Sequence, residues 1–273
     1  MRRKLRVACI QINAGKDWQE NLNRVDHYCR VAIQARAELI AFPENFYWRG
    51  SSHDLFYLSR HVTPRVIQQF KEFASRHHVA ILLGSVPEVS NEKGHYYNTS
   101  ILISEKAKIV AQYRKIHLFD ISLRGKLKTQ ESRYVARGRR IVTGKTWGIP
   151  AGLTICYDLR FPELFRRLTD LGSRIIFVPS NFTETTGKVH WEVLLKARAI
   201  ENQVFIIAPA QVGFHPESGI KSFGTSLVVD PWGKVVKRGS KTEEEVIVSD
   251  LDLGFQEQIR HDFPVLKHRF LKG

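Results

Sequence analysis

The segment AGLTICYDLRFPEL, residues 151–164, joins two different local patterns. It begins with an apolar, β-branched run that favours a buried strand, and its Phe-Pro-Glu is typical of the first turn of a helix. A strand followed directly by a helix is the repeating unit of α/β folds. We therefore expect Cys156 to lie on a sharp turn between the two elements and to project outward from it.

The rest of the chain continues this alternation. Strands are predicted at residues 5–12, 38–42, 79–86, 175–179, 204–208 and 245–251, with hairpins over 97–113 and 226–237. Helices are predicted from an apolar stripe over residues 18–32, from Thr63-Pro64 onward, and over 189–202. The pattern indicates an α/β domain whose helices cover either one mixed sheet or two sheets, and periodicity alone does not separate these arrangements.

The composition is that of a globular protein. The chain has 273 residues, of which 43% are hydrophobic, and no linker or fixed-period repeat divides it, so we expect a single domain over residues 1–273. Its net charge is +15, from 42 Lys and Arg against 27 Asp and Glu. The basic residues are spread along the chain without a nucleic-acid-binding motif. We therefore expect no specific nucleic-acid partner.

The number of cysteines and the hydropathy of the chain indicate the cellular compartment of the protein. The three cysteines, Cys9, Cys29 and Cys156, are too few for a disulfide framework and suit a reducing compartment. The N-terminus is too polar for a signal peptide, and no apolar run reaches 18 residues. We expect a cytoplasmic protein without a membrane span. Cys9 and Cys29 fit the apolar faces of a strand and a helix and are predicted to fill the core.

Residues suited to catalysis follow three predicted strands. Cys156 is a candidate nucleophile, and a thiol needs a base and a positive neighbour because its ordinary pKa is roughly 8.5. Glu44 follows one strand in FPEN, and Lys115 follows another in YRKIHLFD. Each alone is typical of a solvated loop, but strand ends meet at one edge of a sheet. Together they predict one site.

Other chemistries have less support. A Cys–His pair is an alternative, with His117 and His190 as the candidate bases, although no cysteine-protease signature surrounds Cys156. The sequence has no CxxC or HExxH spacing for a metal and no glycine-rich nucleotide motif. We therefore expect neither a metal nor a cofactor.

The three segments around Glu44, Lys115 and Cys156 resemble the nitrilase (carbon–nitrogen hydrolase) superfamily. The similarity continues through VPSNFTETTGKVHWEVLLKARAIENQ, VFIIAPAQ and GTSLVVDPWGKVV, and it reaches from the first strand to Pro264. The segments HWEVLLKARAIENQ and DPWG are most similar to the Nit branch, which includes deaminated-glutathione amidase and ω-amidase. The resemblance implies a four-layer αββα sandwich that pairs into a homodimer.

The resemblance also implies roles for individual residues. Glu44 would be the general base, Lys115 the oxyanion stabiliser and Cys156 the nucleophile. Glu131 matches the second glutamate of the family and would be a further catalytic residue. The substrate-binding candidates are the backbone N–H of Tyr157, the pocket residues Asn181 and Phe182, and Arg160, which lies close to the nucleophile. Glu163, Arg198 and Glu201 are assigned to structural ion pairs, and His190 and Trp191 to packing under the pocket rim.

The implied activity is hydrolysis of a small amide through a cysteine thioester. A carboxylate-bearing substrate is expected, such as deaminated glutathione or an ω-amide of a 2-oxo acid. The same residues would also serve an N-carbamyl amino acid amidohydrolase or a nitrilase. A non-catalytic binding or regulatory relative is the alternative of another class, and the presence of all three residue types argues against it.

Overall fold

The computed structural model describes residues 3–123 and 127–271, without the side chains of residues 52, 53 and 127. Its strands are β1 Lys4–Gln11, β2 Leu39–Ala41, β3 Ala80–Val89, β4 Tyr96–Ile103, β5 Ile109–Arg114, β6 Asp120–Leu123, β7 Leu127–Gln130, β8 Thr143–Thr146, β9 Ile149–Leu153, β10 Ile175–Phe177, β11 Phe205–Ala208, β12 Val212–His215, β13 Ile220–Phe223, β14 Leu227–Val229, β15 Val235–Arg238 and β16 Glu245–Asp252. Its helices are α1 Trp18–Gln34, α2 Ser52–His61, α3 Thr63–His77, α4 Pro162–Asp170, α5 Glu184–Asn202 and α6 Leu253–Asp262. Short 3₁₀ turns occupy Glu131–Arg133 and Cys156–Arg160.

Most of the strands form two six-stranded sheets. The first has the order β16-β1-β2-β3-β4-β5 and the second the order β15-β14-β11-β10-β9-β8. In the first sheet β1, β2 and β3 run parallel, and in the second β9, β10 and β11 do so. Antiparallel strands flank both parallel groups. Each parallel group therefore presents its carboxyl ends at one edge, where loops can carry functional side chains.

The two faces of the first sheet belong to different layers. Leu5 and Val7 of β1 pack in the same core cluster as the strands of the second sheet. Ala8 and Ile10, which point the other way because side chains alternate along a strand, pack with α1 and α3. The outer face of the second sheet is covered by α4 and α5, through residues such as Phe165. The layers are therefore α, β, β, α, which confirms the predicted sandwich.

The predicted elements with strong periodicity are confirmed. The hairpin over residues 97–113 is the antiparallel pair β4–β5, and Asp17 caps α1 by accepting hydrogen bonds from the backbone N–H groups of Gln19 and Glu20. Cys9 and Cys29 are fully buried in the core, as predicted. Helix α5 begins at Glu184, five residues before the predicted start at residue 189. Helices α2 and α6 and the hairpins β6–β7 and β12–β13 had not been predicted.

A close backbone contact fixes the loop that follows β2. A Cβ atom at residue 84 would lie 1.8 Å from the carbonyl oxygen of Phe42, so only glycine fits at this point of β3. The pairing register of β3 with β4 shifts at the same place, between Leu83 and Val86. The next residue, Ser85, accepts a hydrogen bond at its Oγ from the backbone N–H of Asn45 at 3.0 Å. These contacts hold the backbone next to Glu44.

Candidate active site

Cys156 lies on the turn that the sequence predicts between β9 and α4. Its φ angle is +49°, in the left-handed region that a residue with a Cβ seldom adopts. Its backbone N–H donates to the carbonyl oxygen of Pro179 at 2.9 Å, which ties the turn to the loop after β10. The conformation matches the sharp turns that present a nucleophile at the edge of a sheet, and such strained residues cluster at active sites.

A buried carboxylate braces this turn. Asp158 is fully buried and accepts from the backbone N–H of Ile155 at 2.9 Å and from the hydroxyl of Tyr113 at 2.7 Å. The backbone N–H of His117 also donates to it, and the His117 ring lies 2.7 Å from it through Nδ1. The same ring stacks on Phe161 at 3.7 Å between centroids. His117 therefore belongs to the brace, and Asp158 is a contributor that the sequence analysis missed.

Glu44, three residues beyond β2, is buried and holds several hydrogen bonds. Its Oε1 lies 2.9 Å from the Nζ of Lys115 and accepts from the Nδ2 of Asn98 at 2.9 Å. Its Oε2 accepts from the backbone N–H of Asn181, also at 2.9 Å. The Cys156 thiol interacts with the same carboxylate. The structure therefore brings together residues that lie far apart along the chain.

Lys115 follows β5 and contacts two carboxylates. Its Nζ lies 2.9 Å from Oε1 of Glu44 and 2.9 Å from Oε2 of Glu131. Glu131 also accepts from the backbone N–H of Phe119 at 2.7 Å and from Asn98 at 3.4 Å. The amide of Asn98 thus donates to both carboxylates. Asn98 was not predicted from the sequence, because an asparagine inside a strand belongs to no motif. Its position on β4, beside the strand that leads to Lys115, is the one signal that could have indicated it.

The environment changes the ionisation of these groups. Burial favours a neutral Glu44, but the positive charge and hydrogen bond of Lys115 outweigh it and hold the pKa of Glu44 below its usual value. Burial likewise opposes the charge of Lys115, but Glu131 and Glu44 raise the pKa of Lys115 well above its usual value. Burial and then the charge of Glu44 raise the pKa of Cys156 well above its usual value. A neutral thiol therefore faces a carboxylate and an ammonium group.

The burial of Cys156 corrects one expectation. The sequence predicted a nucleophile that projects outward, but Cys156 is only 8% exposed. The loops after β2, β5 and β10 close over the turn, and their side chains line the same cavity. The thiol therefore lies on the wall of this cavity and does not project from the surface.

The cavity contains the predicted catalytic residues. It has a volume of about 210 Å³ and is lined by residues that include Glu44, Lys115, Glu131, Cys156 and Asn181. A cavity of this volume admits a short organic molecule. Tyr96, Tyr134 and Trp48 contribute aromatic walls. The site is a small polar pocket with apolar sides.

The remaining substrate-binding candidates lie on another side of Cys156. Tyr157, Arg160 and Phe182 line a narrow cleft next to the cysteine. The guanidinium carbon of Arg160 lies 5.1 Å from the ring centre of Phe182 and 5.7 Å from that of Tyr157. Its Nη1 is 3.1 Å from Nδ1 of His190, which is exposed. The predicted packing of His190 under the rim is therefore wrong.

Two other predictions about this region agree with the structure. Trp191 is buried against the ring of Phe182, with 5.0 Å between ring centres. Arg198 binds Glu201 at 3.0 Å and donates to the carbonyl oxygen of Leu159 at 3.1 Å, which joins α5 to the turn of Cys156. Glu163 lies in the first turn of α4, on its exposed side.

Over residues 3–123 and 127–271, no group of three His, Cys, Asp or Glu side chains is arranged to hold a metal ion. Within the same residues, no helix is both long enough and apolar enough to cross a membrane.

Comparison with known proteins gives a family. Residues 6–261 match the carbon-nitrogen hydrolase family. The deaminated glutathione amidase of Synechocystis sp. (strain PCC 6803 / GT-S) is 35% identical over 96% of this chain and 97% of its own length. The omega-amidase NIT2 of Mus musculus is 34% identical over 97% of this chain and 94% of its own length.

A solved structure supports the same relationship. Nit3 of Saccharomyces cerevisiae, a member of branch 10 of the nitrilase superfamily, matches with a TM-score of 0.87 and 30% identity. The match covers 98% of this chain and 97% of Nit3. The predicted resemblance is confirmed over nearly the whole sequence. The chain therefore belongs to the carbon–nitrogen hydrolase family, in the Nit branch of the nitrilase superfamily, and is a hydrolase of carbon–nitrogen bonds.

Proposed function

We propose that the chain is an amidase that cleaves a small, carboxylate-bearing amide through a thioester on Cys156. One observation carries this proposal: Glu44, Lys115 and Cys156 line the same small cavity, and Glu44 and Lys115 are in direct contact at 2.9 Å. A base, a cation and a thiol in one small pocket are the parts that acyl transfer needs. In this proposal Glu131 and Asn98 are positioning residues for Lys115 and Glu44.

The first half-reaction forms the thioester. Glu44 takes the thiol proton as the sulfur of Cys156 bonds to the amide carbon, which suits a thiol whose pKa is raised and a carboxylate whose pKa is lowered. An ammonium group has three N–H donors, and Glu44 and Glu131 occupy two of those of Lys115. The third would bind the oxyanion together with the backbone N–H of Tyr157. Glu44 then returns the proton to the nitrogen, and ammonia or an amine leaves.

The second half-reaction regenerates the enzyme. A water molecule takes the place of the departed amine and loses a proton to Glu44 as its oxygen bonds to the acyl carbon. The carbon–sulfur bond breaks, the carboxylic acid product forms, and Glu44 returns its proton to the sulfur of Cys156. One carboxylate thus serves both steps, and the same donors stabilise both oxyanions.

The names of the relatives and the size of the cavity support the substrate class. The two relatives compared above carry the names deaminated glutathione amidase and omega-amidase, and both names denote amide hydrolysis. A cavity of about 210 Å³ fits a short acyl chain around the scissile carbon. Asn181 and the rings of Tyr157 and Phe182 would contact the substrate next to Cys156, and Arg160 would lie at the rim of the adjoining cleft.

The test is ammonia release from ω-amides, N-carbamyl amino acids and nitriles, with the wild-type chain and Cys156→Ala. We expect turnover of ω-amides by the wild type and none by the variant, whose circular dichroism and melting temperature should match the wild type. Near wild-type turnover by Cys156→Ala would contradict the mechanism. Turnover limited to carbamyl compounds or nitriles would contradict the substrate class, and the absence of any turnover would favour a binding or regulatory protein.

The same proposal includes a homodimer located in the cytoplasm. Val189, Val193 and Ile200 on α5 are 66%, 66% and 49% exposed, which is unusual for aliphatic side chains on one helix. Trp232 and Phe263, with ring centres 6.0 Å apart, extend this patch, because the turn at Gly233 lies against Ile200. A second copy of the chain would cover it. The three unpaired, buried cysteines support a reducing compartment.

A further inference from the structure

Arg49 is a charged side chain of the cavity that the mechanism does not use. It lies five residues after Glu44, lines the same cavity as Cys156, and is only 6% exposed. Its neighbour Trp48 folds over Gly50, where a Cβ atom would come within 2.5 Å of the indole ring. The loop after β2 therefore places a general-base candidate and a guanidinium group on the walls of one pocket.

The guanidinium of Arg49 has few hydrogen-bond partners among the described residues. Among the residues that the structure describes, its side chain makes one hydrogen bond, to Oδ1 of Asn13 at 3.5 Å, and no ion pair with a carboxylate. Lys115, in the same cavity, contacts Glu44 and Glu131. The charge of Glu44 acts on Arg49 through space, but that carboxylate is already bonded to Lys115. A buried cation without a direct counter-ion is costly for stability, so a bound anion offers the missing partner.

Among the described residues, the wall around Arg49 contains no second cation to share that role. The Nε2 of His215 lies 2.5 Å from the backbone carbonyl oxygen of Arg49, and its Nδ1 lies 2.9 Å from Oγ of Ser218. Burial and the charge of Arg49 lower the pKa of His215, so the ring is neutral at pH 7. Burial lowers the pKa of Arg49 to about 10, which leaves it protonated at that pH. Arg49 is therefore the positive group of this wall.

We propose that the guanidinium of Arg49 binds the carboxylate at the far end of the substrate from the scissile amide. This inference rests on the proposed amidase function and adds the residue that selects an anionic substrate. A guanidinium fork binds a carboxylate through two parallel hydrogen bonds, which fixes orientation as well as charge. Arg160 is less suited to this role, because it lies in the adjoining cleft between Tyr157 and Phe182.

The experiment compares glutaramate, the C5 monoamide with a terminal carboxylate, with pentanamide, its neutral chain-matched counterpart. In Arg49→Met, we expect kcat/KM for glutaramate to fall on the order of a hundredfold, because a charge-assisted contact is lost, while kcat/KM for pentanamide changes less than about threefold. Arg65→Met, which removes an exposed arginine from α3, is the matched control and should leave both values unchanged. An equal loss for both amides, or none for either, would overturn the proposal.

Two further measurements separate this inference from the proposed function. Calorimetric titration with glutarate, the product of glutaramate hydrolysis, needs no turnover; we expect Arg49→Met to weaken binding at least about tenfold and Arg65→Met to leave it unchanged. If the wild type hydrolyses no amide but this difference appears, the amidase function fails and the anion site stands. Equal glutarate binding by the wild type and Arg49→Met overturns the site.

A second substitution covers the case in which Arg49→Met does not fold. Arg49→Lys keeps the charge but loses the fork, and we expect an intermediate fall in kcat/KM for glutaramate relative to pentanamide. A ratio equal to that of the wild type would count against the fork geometry and overturn the proposal.

Discussion

At the scale of single residues, burial and charge determine when the Cys156 thiol loses its proton. Its backbone strain and position agree with a nucleophile, but burial and the charge of Glu44 raise the pKa of its thiol. A thiol in that state needs its proton removed during attack rather than before it. The adjacent Glu44 carboxylate, held ionised by Lys115, is placed to do this.

Asn98 gives a residue-scale prediction. Its Nδ2 donates to Glu44 at 2.9 Å and to Glu131 at 3.4 Å, so its amide lies between two carboxylates. We expect Asn98→Ala to lower kcat by about tenfold or more, because a charge-assisted hydrogen bond to the proposed base is lost. Asn98→Asp should be less active still, since it places a third carboxylate beside the other two.

The measurement is kcat for the best ω-amide, together with the free energy of unfolding in urea. Asn91→Ala, an exposed asparagine in the loop between β3 and β4, serves as the control and should match the wild type. If Asn98→Asp retains the activity of the wild type, Asn98 has no part in positioning Glu44.

At the scale of elements, the turn between β9 and α4 depends on groups outside it. Asp158 ties the turn to β5 through Tyr113 and to the segment after β5 through His117, while Arg198 of α5 binds the carbonyl oxygen of Leu159. Lys115 lies in that same segment after β5. The nucleophile and the cation are therefore held by one shared network, which fixes their relative position.

This network predicts a large effect of Asp158→Ala on stability. The substitution leaves the Ile155 N–H, the His117 N–H and the Tyr113 hydroxyl without their buried acceptor, so we expect the free energy of unfolding to fall by about 3 kcal/mol or more. Asp170→Ala, which removes a solvent-exposed pair with Arg269, should cost less than about 1 kcal/mol. Urea unfolding measures both. Equal losses would show that Asp158 is not a brace.

At the scale of the whole molecule, one exposed apolar surface predicts that two copies of the chain associate. This α5 patch consists of Val189, Val193, Ile200, Trp232 and Phe263. Val193 belongs to this patch and is 66% exposed. If a second copy covers it, Val193→Glu buries an unpaired carboxylate at the interface and should convert the dimer to a monomer. Sedimentation velocity at micromolar concentration measures this change.

A control on another face makes the assembly test specific. Val31→Glu, on α1, alters a valine that is 36% exposed and lies outside the patch, so it should leave the sedimentation coefficient unchanged. A wild-type chain that sediments as a monomer, or a Val193→Glu variant that remains dimeric, would contradict the proposed interface.

Much of the fold followed from local pattern. The alternation of apolar residues along β1 and the helical stripe of α1 depend only on neighbours in the chain, so they were predicted. Helices α2 and α6 were not predicted; each has 10 residues, against 17 in α1 and 19 in α5, so each offers fewer turns in which a helical period can be recognised. Periodicity could not distinguish one mixed sheet from two sheets, because the alternation of side chains along a strand is the same in both arrangements.

For this protein, residue types and their order were enough to predict an α/β sandwich, a family and three candidate catalytic residues. Only the tertiary structure decided that Cys156 is buried, that Asn98 joins Glu44 to Glu131, and that Arg49 faces the same cavity. The physical reason is that a strand or a helix arises from residues next to each other in the chain. Burial, pKa and charge pairing arise from groups that the fold brings together across more than a hundred positions, as with the Glu44 carboxylate and the Asn181 N–H.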